Sequence, residues 1–236
     1  MMRIALETST SFGTVAVARD DRVLAEVGLG VQTRHAESAL LALEYALEAA
    51  GVEREAVEEV VVGGGPGSFT GVRVAGATAK GLVAALDVPL RSFPSLLALA
   101  AGVGATGPVC ALFDARRGEV YAGCWRVGGG VLEEVLAPMV GPVQEVLRAI
   151  GLAAAPSGPP PERPSAAPVF VGDGARRYRD DLERAGAAVM DAPAHPRAST
   201  LLWLAARDPG AGWVADVPAW EPAYIRASSA ERGVRG

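Results

Sequence analysis

The chain has little of what usually grips metals or polyanions. Its 236 residues include only two cysteines, two histidines and one lysine, Lys80. Cys110 and Cys124 are too few for a disulfide framework and read as buried reduced thiols. The formal net charge of −5 argues against a chain that is itself the main clamp on nucleic acid, which takes clustered Lys and Arg. Arg176, Arg177 and Arg179 form one local cluster, readable as a basic patch or, more simply, as a solvated helix face. No apolar run reaches the roughly 18 residues of a membrane span. The opening MMRIALETST lacks the basic, apolar, small-residue layout of a signal peptide. These absences predict a cytoplasmic protein with no membrane partner.

What is present is a strongly ordered first half. RIALET reads as a buried strand, and GTVAVARDDRVLAEVGL as a hairpin turning at Asp20 and Asp21. RHAESALLALEYALEAAG carries Ala36, Leu40, Leu43, Leu47 and Ala50 at helical spacing, with Gly51 placed to end the helix. VEEVVVGGG predicts a strand, TGVRVAGATAKGLVAAL a helix, VPLRSF a strand, and PSLLALAAG a helix that Ser95 caps. The order βββαβαβα implies a mixed sheet with an antiparallel edge and helix-covered faces.

The second half is sparser. VCALFDARRGEVYAGCWRV predicts two strands around Arg117 and Gly118, VFVGDGARRYRDDLERAG a strand, turn and helix, and ASTLLWLAARD a further helix. AAAPSGPPPERPSAAP is too rich in Pro, Ala and Ser to pack regularly and reads as an exposed loop or linker. The final ERGVRG reads as a frayed tail. We divide the chain into 1–107 and a smaller 108–236, with the Pro-rich loop at about 154–168 in the latter.

VVVGGGPGSFTGVRVAGATAK invites comparison with phosphate-binding loops. It has no lysine where a Walker loop needs one. Counted from Gly65, a dinucleotide fingerprint finds Gly67 in third place but Thr70 in sixth. A helix N-terminus able to attract an anion remains, with Ser68 or Thr70 as cap. The helix itself places Gly71, Ala75 and Ala79 on one ridge and Ala77, Gly81 and Ala85 on another. Interior glycine costs roughly 1 kcal/mol relative to alanine, so Gly71, Gly76 and Gly81 need an offsetting gain. Close approach of another backbone supplies one. That backbone is the protein's own sheet, its preceding helix or a second chain.

Taken in order, ETSTSFGTVAV, GGGPGSFTGVRVAGATAKGL, FPSLLALA, DARRGEVY, VGDGA and EPAYIR resemble the TsaB family of bacterial tRNA threonylcarbamoyladenosine biosynthesis proteins. The pieces span Glu7 to Arg226, and Gly-Pro-Gly-Ser-Phe-Thr-Gly is the most specific. The resemblance implies an actin-like ATPase, ribonuclease H-like α/β fold with two subdomains. It implies a non-catalytic subunit that binds and activates TsaD, the related transferase that acts on the adenosine beside the tRNA anticodon, in a complex with TsaE. It also implies a homodimer when TsaD is absent, tRNA contact only through the complex, and no cofactor in the chain alone. A nucleotide at the interface with the partner stays open. The implied partner surface is Leu40, Leu43 and Leu47 of the first helix with Gly71, Val74, Ala77, Thr78 and Gly81 of the second.

The chemistry-bearing residues fit that expectation. TsaD carries a His-x-x-x-His metal pair on its first helix; here HAESALL keeps His35 and Glu37 but has Ala39 in the second histidine's place. One imidazole and a methyl cannot hold a metal as two imidazoles at i and i+4 can. His195, in a Pro-rich segment, reads as a surface residue. No Gly-x-Ser-x-Gly elbow surrounds Ser68, which disfavours a protease. Glu7 and Asp114 stand where an actin-like kinase holds Mg²⁺ through water, but Glu7-Thr8-Ser9 departs from a sugar kinase's Asp-x-Gly and from the aspartate common in the TsaB pattern. VGDGA sits where related folds present glycines to adenosine, with Asp173 bringing charge into the turn. The competing expectation is a stand-alone actin-like ATPase or small-molecule kinase.

Overall fold

A computed structural model describes residues 1–30, 35–105, 107–128, 131–153 and 167–225. The Pro-rich stretch at 154–166 and the tail from 226 onward lie outside the described residues, as do the side chains of His35 and Glu37.

Strands β1 (Met2–Glu7), β2 (Gly13–Arg19) and β3 (Arg22–Leu29) form an antiparallel meander, with Asp20 at positive φ in the first hairpin turn. Helix α1 (His35–Ala50) leads to β4 (Glu59–Gly63), and α2 (Phe69–Leu86) to β5 (Leu90–Phe93). Both later strands run parallel to β1, giving the order β3-β2-β1-β4-β5. After α3 (Ser95–Ala101) the pattern repeats. Strands β6 (Pro108–Arg116), β7 (Glu119–Gly128) and β8 (Val131–Gly141) are an antiparallel meander. Beyond α4 (Val143–Ala149), β9 (Val169–Val171) pairs parallel with β6. Helices α5 (Asp173–Arg177) and α6 (Arg179–Arg184) lead to β10 (Ala188–Val189), giving β10-β9-β6-β7-β8. Two sheets, each a meander extended by two parallel strands on the side of its first strand, make the actin-like ATPase fold.

Strand periodicity sorts the side chains into layers. On one face of the first sheet Ile4, Leu6, Val15, Val17, Val60 and Val62 pack under α1 and α2. On the other, the small Ala5, Ala16, Ala18 and Val61 share a core with α3 and with α7 (Ala198–Arg207). The same core takes in Val109, Ala111, Phe113 and Trp125 of the second sheet. Cys110, Leu112, Ala122, Cys124 and Phe170 face the outer helices α4 to α6. Both cysteines are buried and free, opposite each other across β6 and β7.

Helix α7 packs back on the first sheet and is fastened there at both ends. Its N-terminal amides at Ala198 and Ser199 donate to Thr14 Oγ1 (2.7 Å) and Glu26 Oε1 (2.9 Å), satisfying groups that the helix cannot satisfy itself. At and beyond its other end, the buried Arg91 guanidinium of β5 donates to the carbonyls of Ala205, Asp208 and Ala211. Arg91 also faces Glu59 Oε1 at 3.6 Å, and Arg3 donates to that same oxygen at 2.9 Å. The following segment covers the edge strand β5 through a bridge between Arg91 and Trp213. Trp220 then packs against α2.

Three local expectations change. Ser95 is the first residue of α3 rather than its cap; its hydroxyl accepts the Gly65 amide instead (3.2 Å). The helix expected after VGDG breaks at Tyr178 into α5 and α6. Strand β8 and helix α4 add to the second half. Pro138 is tolerated in β8 because that strand is a sheet edge and its register shifts opposite Ala122 and Cys124.

Candidate partner-docking site

Helix α1 lies on the first sheet through Ala39, Ala42, Leu43 and Ala46, three methyl groups and one leucine that let it sit close to the strands. Its opposite side is also apolar. Leu40 is 46% exposed, Leu41 66% and Tyr45 63%. Single exposed hydrophobic residues are ordinary, but three within two turns of one helix make a patch of the kind that marks an interaction surface.

Helix α2 starts at Ser68, whose Oγ accepts the Gly71 amide (3.3 Å), and ends at Asp87 in the left-handed conformation. Its buried side is Gly71, Val72, Ala75, Gly76 and Ala79. A Cβ on Gly71 would fall on the Thr8 carbonyl, and one on Gly76 would press on the Trp220 ring at 3.3 Å. A Cβ on Gly81 would meet nothing within 4 Å. The buried side of α2, which includes the first ridge, therefore docks on the protein's own β1–β2 loop through Gly71 and on the C-terminal segment through Gly76. The second ridge, Ala77, Gly81 and Ala85, is exposed. Its small side chains have no partner among the described residues that would explain them.

Of the residues expected at a partner surface, Leu40, Ala77 and Gly81 are exposed, and Val74, Thr78 and Leu47 are half-buried. Leu43 and Gly71 are corrected: both are buried inside the chain. Sequence reasoning missed Leu41 and Tyr45. Apolar residues on every side of LLALEYAL were the available signal, because a helix that only covers a sheet needs one stripe. Charge also separates the helices. α1 carries Glu37, Glu44 and Glu48 and no lysine or arginine, whereas α2 carries Arg73 and Lys80 and no acid.

The second place to look for chemistry is where loops of the two sheets meet. Glu7 ends β1 fully buried, with Oε1 accepting the Ser9 amide (2.6 Å), and burial pushes its carboxyl above the ordinary range. The loop after it is stapled to α2: Ser68 N donates to Ser9 O (2.6 Å), and Thr8 Oγ1 to Gly71 O (2.7 Å). On the facing sheet, Asp114 is engaged by Arg177 (3.0 Å) and by the Arg116 amide (2.9 Å). Asp173 Oδ1 accepts the amides of Asp114 and Gly174 (3.1 and 2.9 Å), and burial raises its pKa. Gly172 takes φ 103° against the Leu112 carbonyl, so VGDG closes a backbone contact there.

His195 corrects the expectation of a surface residue. It is half-buried, stacked on Phe12 with ring centroids 5.6 Å apart, and burial lowers its pKa while Asp173 opposes the shift. Glu7 Oε1, Asp114 and Asp173 Oδ1 are thus held by internal partners, whereas Glu7 Oε2, Ser9 Oγ and His195 Nδ1 are buried with no hydrogen-bond partner among the described residues. Among the described residues no three His, Cys, Asp or Glu cluster as a metal site. Arg177 and Arg179 pair with carboxylates, Arg179 with both Glu183 and Asp191. No helix among the described residues is long and apolar enough to cross a membrane.

The family described as TsaD, tRNA N6-adenosine threonylcarbamoyltransferase, matches residues 17–232. A Bacillus subtilis protein named tRNA threonylcarbamoyladenosine biosynthesis protein TsaB is 32% identical over 98% of this chain and 96% of its own. The chain belongs to the TsaB family. An Escherichia coli TsaB is 29% identical over all of this chain and 99% of its own. The solved YeaZ from Pseudomonas aeruginosa superposes with a TM-score of 0.75 at 30% identity, over 94% of this chain and 99% of that one. The TsaB likeness thus extends over both sheets and the returning α7.

Proposed function

We propose that this chain is a non-catalytic cytoplasmic subunit required for N6-threonylcarbamoyladenosine modification of tRNA. It docks on the transferase TsaD through the outer face of α1 and α2, activates it, and works in a complex with TsaE. The observation that carries this reading is the exposed face itself. Leu40, Leu41 and Tyr45 are exposed on α1, and Ala77 and Gly81 on the adjacent α2 are left uncovered by the described residues. The names of the relatives support the pathway, and the match to the TsaD family supports a partner built on the same fold.

The stapled loop at Thr8 and Ser9, and the engagement of Asp114 and Asp173, favour a chain with no nucleotide or metal of its own. A nucleotide where the two subunits meet is compatible with this. Without the transferase, the same face pairs isologously in a homodimer, and the acidic α1 and basic α2 of two copies complement each other. The second reading, a stand-alone actin-like ATPase or small-molecule kinase, rests on the fold alone.

Ala77→Trp and Gly81→Leu test the docking face. Both positions are exposed, so the variants should fold with unchanged circular dichroism, yet fail to co-elute with TsaD from a size-exclusion column. Folded variants that co-elute like the parent would move the interface elsewhere.

A further inference from the structure

At the N-terminal edge of the α2 face, two aromatic rings and an arginine form a cluster that the docking ridge does not use. Phe69 is 45% exposed and Tyr224 is 37% exposed, their centroids 5.7 Å apart and their planes tilted by 45°. The exposed Arg73 guanidinium lies 3.9 Å from the Phe69 centroid and 5.6 Å from that of Tyr224, and its Nε donates to the Tyr224 hydroxyl at 3.1 Å. Among the described residues no carboxylate pairs with Arg73, in contrast to Arg3, Arg54, Arg126, Arg177, Arg179, Arg184 and Arg197. The hydroxyl-bearing Ser68 and Thr70 are exposed alongside.

The parts suit one kind of ligand. Flat rings and a guanidinium plane offer faces on which an unpaired base stacks, whatever its identity, and an uncompensated arginine attracts the adjoining phosphate. A protein partner would use the same rings and set a carboxylate against Arg73, an outcome that the co-elution measurement below separates. Charge on the helix agrees with RNA although the whole chain is acidic: α2 carries Arg73 and Lys80 and no acid, and Glu221 is the one carboxylate of the segment 221–225. The cluster and the ridge share a helix, Arg73 preceding Ala77 by one turn, so RNA on the rings would lie at the rim of the docked partner.

We infer that Phe69, Arg73 and Tyr224 form a contact for an unpaired base of the tRNA substrate, made by this chain within the complex. This rests on the proposed role in tRNA modification and adds a site of direct contact to it. The contact is one of position, with no chemical step.

The probe is an unmodified tRNA transcript, its affinity read by fluorescence anisotropy with the reconstituted pair of this chain and TsaD. Replacing both rings, Phe69→Ala with Tyr224→Ala, should weaken binding about tenfold or more. Phe69→Trp should restore most of it in a Tyr224→Ala background, and Arg73→Lys should weaken it several-fold although charge is kept. The surface position of both rings favours folded variants, and co-elution with TsaD should be unchanged. Unaltered affinity in the double variant would overturn the inference. Loss of co-elution together with affinity would also overturn it, because the rings would then be a protein contact. If even the parent chain fails to join TsaD, the functional reading fails separately; the same titrations are then read on the chain alone, where binding indifferent to the rings would sink the inference.

Discussion

Three glycines in one helix are expected to respond in three different ways to the same added methyl group. In Gly81→Ala the new Cβ enters open space, so only intrinsic propensity changes, and the isolated chain should gain about 1 kcal/mol. In Gly76→Ala a similar gain is offset by pressure on the Trp220 ring at 3.3 Å and on Pro222 at 3.4 Å, leaving stability close to the parent's. In Gly71→Ala the Cβ falls on the Thr8 carbonyl, and backbone cannot swing aside as a side chain does. The shift strains two hydrogen bonds at the same residue, Thr8 Oγ1 to its carbonyl and its amide to the Ser68 cap. Overpacking of about 1–3 kcal/mol plus a cap worth about 1 kcal/mol, less the same propensity gain of about 1 kcal/mol, gives a net loss of roughly 2 kcal/mol. Urea titration with a common slope reads these as midpoint shifts, and at this chain length 1 kcal/mol moves Tm by about 2–4 °C. Gly81→Ala should in addition weaken TsaD docking while stabilising the free chain, since a small-residue ridge serves close approach. A Gly71→Ala protein as stable as the parent, or a destabilised Gly81→Ala, would refute the division of α2 into an internal and an external ridge.

Glu7→Gln should make the protein more stable at neutral pH. The raised carboxyl contributes stability that is fully present below its ordinary value of about 4.5 and lost as pH rises through the folded-state value, so the variant's advantage should appear and grow across that window in denaturation at a series of pH values. Arg91→Ala removes the guanidinium from three carbonyls and leaves Glu59 facing Arg3 alone; a loss of about 3–5 kcal/mol is expected by chemical denaturation, with α7 exchanging its amide hydrogens faster than β6. Leu41→Glu adds an acid one turn from Glu44 and Tyr45, and sedimentation velocity should show a homodimer dissociating at higher protein concentration than for the parent, with no change in Tm of the monomer.

The first sheet was legible because its strands alternate and its turns carry Asp, Gly and Pro. The second was less so. Strand β8 mixes Glu133, Glu134 and Pro138 into an apolar run, and only its place at a sheet edge makes that pattern a strand. The proposed docking face was half legible: the surplus of apolar residues on α1 was visible, but the choice between Leu43 and Leu41 depends on how the helix is rotated against β2 and β3. Arg91 reads as an ordinary strand residue, since its partners are carbonyls more than 110 residues away. His195 misled for a related reason. A proline-rich segment suggests a surface loop, yet in this one His195 stacks on the Phe12 ring of the β1–β2 loop and feels Asp173 of the second half.

The most direct test is a reconstitution. The purified chain is incubated with ATP and Mg²⁺, and then with TsaD, TsaE, threonylcarbamoyl-AMP and unmodified tRNA, and modified adenosine and ATP turnover are both measured. A non-catalytic docking subunit predicts no turnover by the chain alone, and modified adenosine in the mixture that disappears with Ala77→Trp. Robust ATP hydrolysis or phosphoryl transfer by the chain alone, or full modification when it is omitted, would contradict it.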